Sequence, residues 1–249
     1  MTRQQTLRKA DQAMGLTTTV RRVSKVAVQS THADTATAPI IPEPSFVSAP
    51  GVSRHTALEA LRLQHERECP HCTTATAHTN IVFGEGDANA QVFFVGEAPG
   101  ETEDQTGRPF VGKAGTKLNE MIAAMGLSRE QVYIANVLKS RPPNNRPPQP
   151  SEIAACGPYL IEQLLLIAPK VIVTLGGPAT KLLLGSEIGI SKLRGIWATW
   201  QPPKGRGASI PIMPTYHPAY LLRNYTPQTR AEVWSDLKQV MAKIQVAPG

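Results

Sequence analysis

The sequence is short of several things, and each shortage removes a class of protein. No apolar run approaches the ~20 residues that a membrane-spanning helix needs, so no helical membrane span is expected. The first residues are charged and no apolar block follows them, so no export signal is expected and the cytosol of a bacterium or archaeon is the expected compartment. Cysteines number only three. An odd count without an export signal argues against a disulfide framework and for reduced thiols or a metal site. Aromatics make up 5% of the chain, and none occurs before Phe46. Residues 1–52 are instead rich in Thr, Ala, Pro, Ser and Val, with six basic residues (Arg3, Arg8, Lys9, Arg21, Arg22, Lys25) against three acidic ones (Asp11, Asp34, Glu43). Such a segment cannot bury enough apolar area to offset its ordering entropy. It is expected to be a disordered tail; the sharper alternative is a basic arm that raises DNA affinity or acts as a targeting sequence.

What is present points to one α/β domain over residues 53–249. The chain has 249 residues, 41% of them hydrophobic, which is enough for one well-buried domain plus a tail. A net charge of +7 favours a polyanionic partner. Residues 56–68 read as a helix, with Leu58, Leu61 and Leu63 among Glu, Arg and Gln. Residues 81–86 read as a short extended piece ending in a turn. Strands are then expected at 92–95, 132–137, 171–175 and 210–213. Helices are expected at 114–125 (ending at Gly126), 151–167, from the turn at 176–178 onward, and 229–244. Ser151 and Glu152 are read as opening the second of these. Residues 141–150 carry five prolines and form a rigid loop. Alternating strand and helix implies a three-layer αβα sandwich around a four-stranded parallel sheet.

Three separated stretches start where an apolar run stops, and each then offers polar or aromatic groups. The first is Gly96-Glu97-Ala98-Pro99-Gly100, with Glu103 and then Gly107-Arg108-Pro109-Phe110 downstream. The second ends at Asn136. The third is His217-Pro218-Ala219-Tyr220-Leu221-Leu222 with Arg223. In an open parallel sheet such positions meet in one crevice at the carboxyl ends of the strands. A carboxylate, an aromatic face, an amide and an imidazole suit a flat, hydrogen-bonding ring such as a nucleobase. Each piece alone has a plainer reading: Phe110 as core, Asn136 as a strand-ending turn former, His217 as a loop residue, Leu221 as packing for the closing helix.

Taken together and in this order, Gly96-Glu-Ala-Pro-Gly-Glu-Thr-Glu-Asp, Gly-Arg-Pro-Phe-Val-Gly, Asn136-Val-Leu-Lys-Ser-Arg-Pro-Pro and His217-Pro-Ala-Tyr-Leu-Leu-Arg resemble family 4 uracil-DNA glycosylase. The resemblance spans roughly residues 56–245. It implies a uracil-DNA glycosylase fold, excision of uracil from DNA, and an iron–sulfur cluster. On that footing Asn136 accepts from uracil N3–H and donates to O4, whereas cytosine reverses that edge and would leave both amide groups unpaired. Phe110 stacks on the flipped base. His217 donates to O2 as charge builds on the leaving base. Glu97 orients or activates water, with Glu103 as the runner-up carboxylate or a brace for its loop. Gly96, Ala98, Pro99 and Gly100 form the turn against the ligand. Leu221 fills the gap left by the base, and Arg223 holds a phosphate. Gly176-Gly177-Pro178 either binds a phosphate through backbone amides or is only a tight turn.

The family pattern has four cysteines around a [4Fe–4S] cluster, and this chain matches three: Cys69, Cys72 and Cys156. The fourth position is Ser140, a poorer ligand than thiolate. Three outcomes are open: Ser140 ligates an intact cluster, the cluster is labile or three-iron, or it is lost. A cluster is preferred, and His71, inside Cys69-Pro70-His71-Cys72, is a candidate substitute. A thiol redox site at that motif is disfavoured, because a charged helix rather than a strand precedes it. The expectation is therefore a monomeric, monofunctional glycosylase acting on uracil-containing DNA. The alternative is a uracil-DNA binding or cross-linking relative, which looks to have Gln in place of Glu97 and a His-containing insertion; residues 190–195 hold no His.

Overall fold

The computed structural model describes residues 51–244 apart from Thr76 and Lys204; the expected tail, up to residue 50, lies outside them. Helix α1 (Arg54–Glu68) opens the described chain, its first turn capped by the Ser53 hydroxyl, which accepts from Thr56 N at 3.1 Å. Strand β1 (Glu85–Gly86) and strand β2 (Val92–Gly96) follow, then α2 (Glu101–Thr106), α3 (Lys113–Ala124), β3 (Tyr133–Asn136) and α4 (Pro150–Ile167). The second half is β4 (Val171–Leu175), α5 (Gly177–Leu184), α6 (Ile190–Leu193), β5 (Ala198–Trp200), β6 (Ile210–Thr215), α7 (Pro218–Arg223) and α8 (Pro227–Ile244).

The sheet has six strands in the order β1-β3-β2-β4-β6-β5. The four expected strands are its parallel centre, and short antiparallel strands β1 and β5 extend the two edges. The four-stranded count is thereby corrected. Both added strands are two or three residues long and lack a buried apolar run, so periodicity gives them no signal.

All residues of β2, β3 and β4 are buried, because helices cover both faces. The period-2 alternation divides them between two cores. Phe93, Val95, Tyr133, Ala135 and Ile172 pack with Leu58, Leu160 and Leu164 from α1 and α4. Val92, Phe94, Ile134 and Val173 pack with Leu118, Met121, Trp234 and Leu237 from α3 and α8. Each fully buried Phe or Leu of this kind contributes ~1.5–3 kcal/mol. Helix α4 starts at Pro150, one residue earlier than expected, and Glu152 caps it by accepting from Gln149 N at 2.7 Å. Helix α2 was not expected: Glu101–Thr106 has no apolar periodicity, and it ends at Gly107 in the left-handed region, φ 70°.

The register places the site. Gly96 pairs with Asn136, Val95 with Thr174, and Leu175 with Thr215, so the carboxyl ends of all four parallel strands lie at one edge of the sheet.

Candidate nucleobase cleft and cysteine centre

A cleft of about 630 Å³ opens over those four strand ends. Its lining comes from the segments that leave them: Glu97, Ala98, Pro99, Gly100 and Glu103 after β2, Asn136 and the proline loop after β3, Gly176-Gly177-Pro178 after β4, and His217, Tyr220 and Arg223 after β6, with Phe110 across from them. Of the residues given a catalytic or uracil-DNA-binding role, the cleft gathers all but Gly96 and Leu221; Gly107, Arg108, Pro109, Pro218 and Leu222 of the same stretches do not line it. The lining contains no lysine among the described residues.

Gly96 sits behind the cleft wall, and the reason it is glycine is steric. A Cβ there would lie 2.3 Å from Asn136 Oδ1 and 2.4 Å from Phe110 Cζ. Asn136 is itself 1% exposed, and its Oδ1 has no hydrogen-bond partner. A buried acceptor left unpaired costs ~1–3 kcal/mol.

Phe110 is held in an uncommon conformation. Its φ is 51°, in the left-handed region that costs a non-glycine residue ~1–3 kcal/mol. Two sets of bonds impose it. Glu103 Oε1 accepts from Val111 N (2.8 Å) and Gly112 N (2.7 Å), so Glu103 ties this loop to α2. Arg129 donates to the carbonyl oxygens of Phe110 (3.1 Å) and Pro109, and is itself paired with Glu85 at 2.5 Å. Sequence reasoning missed Arg129 and Glu85; they lie far from the motifs and carry no local pattern. The Phe110 ring faces His217 at 5.6 Å between centroids.

His217 is the N-cap of α7. Its Nδ1 accepts from Ala219 N at 3.1 Å, which leaves the ring hydrogen on Nε2. Burial, reinforced by the Arg223 charge, pushes its pKa down to about 4, so the imidazole is neutral at physiological pH and offers one N–H donor. The turn before it is anchored by Thr215, whose hydroxyl donates to Asp236 Oδ2 at 2.7 Å. Gly176, with φ 91°, passes so close that a Cβ would lie 3.1 Å from His217 Cβ. Burial raises the Glu97 carboxyl above the ordinary carboxylate range.

Leu221 is not at the cleft. It is 1% exposed and packs in the core with Leu118 and Trp234, so the expectation of a wedge at this residue is corrected in favour of packing. The helical turn of α7 points residue 221 inward. The apolar groups presented outward on and beside α7 are Tyr220, Leu222 and Tyr225. Arg223 is exposed at the end of α7.

The cysteines form a second centre, in the core cluster between α1, α4 and the sheet. All three are buried and unbridged. Cys156 Sγ lies 3.5 Å from Cys69 Sγ and 3.2 Å from Cys72 Sγ, and Ser140 Oγ accepts from Cys72 at 3.3 Å. Their mutual hydrogen bonds push Cys69 down and Cys156 up, which opposes ionisation of all three together. A metal would allow it. The fourth metal-ligating side chain in this group is His65, whose ligand atom lies within 4.8 Å of all three sulfurs. His71 is turned elsewhere, with Nε2 3.9 Å from Glu152, and is corrected as the substitute ligand. The donor set fits a thiophilic metal centre. Between the two centres runs Lys139, fully buried, donating to Asn136 O (2.8 Å) and Gln163 Oε1 (2.6 Å).

A sequence model of the uracil DNA glycosylase superfamily matches residues 83–238. The type-4 uracil-DNA glycosylase of Thermotoga maritima is 43% identical over 194 residues, covering 77% of this chain and 98% of the relative. That of Sulfurisphaera tokodaii is 48% identical over 178 residues, 69% of this chain and 78% of the relative. That of Archaeoglobus fulgidus is 44% identical over 173 residues, 69% and 86%. The matched span contains the whole cleft, and the chain therefore belongs to the uracil-DNA glycosylase superfamily, among the type-4 uracil-DNA glycosylases.

Proposed function

We propose that the protein flips uracil out of DNA into this cleft and hydrolyses its N-glycosidic bond, leaving an abasic site in an unbroken strand. The observation that carries the reading is the buried, unpartnered Oδ1 of Asn136 at the strand ends. Uracil N3–H supplies the missing donor, and the Asn136 amide N–H then donates to O4. Cytosine offers an acceptor at the first position and a donor at the second, so it would leave both buried groups unpaired. Phe110 supplies the stacking face, and its constrained backbone fixes that face before the base arrives.

As the bond breaks, negative charge collects on uracil O2. The neutral His217 meets it with Nε2–H, a donor worth ~3–4 kcal/mol in the transition state. Positive charge on the sugar is met by Glu97, which also orients the attacking water. A Schiff base requires an amine, and the cleft lining has no lysine among the described residues, which supports hydrolysis without strand cleavage. Ala98, Pro99 and Gly100 shape the floor, and the cation of Arg223 takes a flanking phosphate. Tyr220 and Leu222, rather than Leu221, are the apolar groups available to the duplex.

Cys69, Cys72 and Cys156 would hold an iron–sulfur cluster of the [4Fe–4S] type, as the type-4 resemblance implies. Its role is to staple α1 and the Cys69–Cys72 turn after it to α4. Residues 53–249 are the catalytic domain, acting as a monomer on uracil-containing DNA. The cross-linking alternative has no support in residues 190–195, which form α6 and its end without a histidine. Asn136→Ala should abolish excision while leaving the fold intact, by far-ultraviolet circular dichroism. Wild-type excision by that variant would remove the central residue from the mechanism.

A further inference from the structure

The geometry points to His65 as the fourth ligand of the cysteine centre, in the place that Ser140 leaves open. This rests on the reading above that the three cysteines hold a metal centre.

Helix geometry puts His65 there. The inward face of α1 is Ala57, Leu58, Leu61 and His65, and Cys69 caps the helix one turn later with its N–H on His65 O at 3.0 Å. His65 and Cys69 are thus i and i+4 neighbours on one face. His65 is 0% exposed, neither ring nitrogen makes a well-formed hydrogen bond, and a polar group that it meets is the Cys69 sulfur. Leaving a buried polar group unsatisfied is costly, so an imidazole in this position is a poor choice for packing alone. Its ring is nonetheless fixed, edge-on to Tyr159 at 4.7 Å and tilted on Phe83 at 5.7 Å. Metal ligation satisfies one of the two nitrogens.

The chemistry separates His65 from Ser140. An imidazole nitrogen is a common ligand to zinc and iron beside thiolates. Serine must first lose its proton, and it is a hard oxygen donor among soft thiolates. With Cys72 ionised on the metal, the Ser140 hydroxyl, 3.3 Å from its sulfur, is placed to donate to that thiolate instead of ligating. The pattern is therefore His-x3-Cys-x2-Cys with Cys156 from α4. Exchanging one thiolate for imidazole removes one negative charge from the centre. In iron–sulfur centres this raises the reduction potential.

The test uses full-length protein purified without oxygen: iron, sulfide and zinc content, then nitrogen hyperfine coupling by pulsed electron paramagnetic resonance on the reduced centre. Wild type and Ser140→Ala should both contain iron and show coupling from a ligating nitrogen. His65→Cys should keep iron, lose the coupling and have a lower reduction potential than wild type. His65→Ala should lose metal. An iron centre without nitrogen coupling in wild type, or metal loss in Ser140→Ala with none in His65→Ala, overturns the assignment. Wild-type protein without iron would defeat the cluster reading alone, and Co2+ titration then decides on His65. The assignment stands if His65→Ala weakens Co2+ binding by at least the roughly 10- to 100-fold that outer-shell changes cost while Ser140→Ala does not. It falls if Co2+ binds both variants alike, or does not bind wild type.

Discussion

Replacing Gly96 by Ala adds one methyl group at the point where the cleft is tightest. The new Cβ would lie 2.3 Å from Asn136 Oδ1 and 2.4 Å from Phe110 Cζ. Non-bonded carbons rest at ~3.5–4.0 Å, so the amide, the ring or both must retreat by about 1 Å. Neither retreat is cheap. Asn136 closes β3 opposite Gly96 in the sheet, and Phe110 is pinned through its own carbonyl by Arg129 and through the next two amides by Glu103. Overpacking of a buried site costs ~1–3 kcal/mol, which lowers the melting temperature by roughly 2–4 °C per kcal/mol for a domain of this size. Displacing a positioning group by about 1 Å can cost 10²-fold in rate, or about 2.7 kcal/mol in the barrier. Gly96→Ala should therefore remain folded, melt lower, and excise uracil about two orders of magnitude more slowly. Single-turnover excision with enzyme in excess, beside a thermal melt, measures both. Folded Gly96→Ala with the wild-type rate would mean that neither Asn136 nor Phe110 need be where the structure has them.

Three further outcomes follow from the same geometry. His217→Leu should lower single-turnover excision by ~10²–10³-fold, with the affinity for uracil-DNA in a gel-shift assay little changed. Arg129→Met releases the carbonyls of Pro109 and Phe110, so it should slow excision by about tenfold or more, and Glu85→Gln should do so less; wild-type rates in both would show that Phe110 is held by other means. The pH profile should have an acid limb that belongs to Glu97. Burial raises that carboxyl above its ordinary 4.5, and the working form is the carboxylate, so the rate falls as pH drops through a value above 4.5. His217, held near 4, takes up a proton only toward the acid end of that limb. Glu97→Gln should remove the limb along with most of the rate.

The parallel strands were legible because burial on both faces turns them into continuous apolar runs, as in Val92 to Val95 and Val171 to Leu175. Their carboxyl-end motifs were legible for the same reason: chemistry begins where the run stops. Other parts were hidden. Nothing in Gly-Arg-Pro-Phe announces that Phe110 takes a positive φ, since the constraint comes from Glu103 and Arg129 across space. Leu221 and Leu222 are equivalent in sequence, and only the turn of α7 sends one inward and the other out. His65 carries a signal in the sequence. Leu58, Leu61, His65 and Cys69 follow the 3–4 spacing of one helix face, whereas Leu63, counted with the apolar set, is exposed. A polar residue on an apolar stripe is easily read as solvent-facing when its neighbours are Glu and Arg.

The most direct measurement is single-turnover excision on three otherwise identical oligonucleotides carrying one uracil, cytosine or thymine, with alkali to reveal abasic sites. The account predicts cleavage at uracil only, lost in Asn136→Ala. Folded, DNA-binding protein that leaves uracil in place, or that removes cytosine as readily, would contradict it.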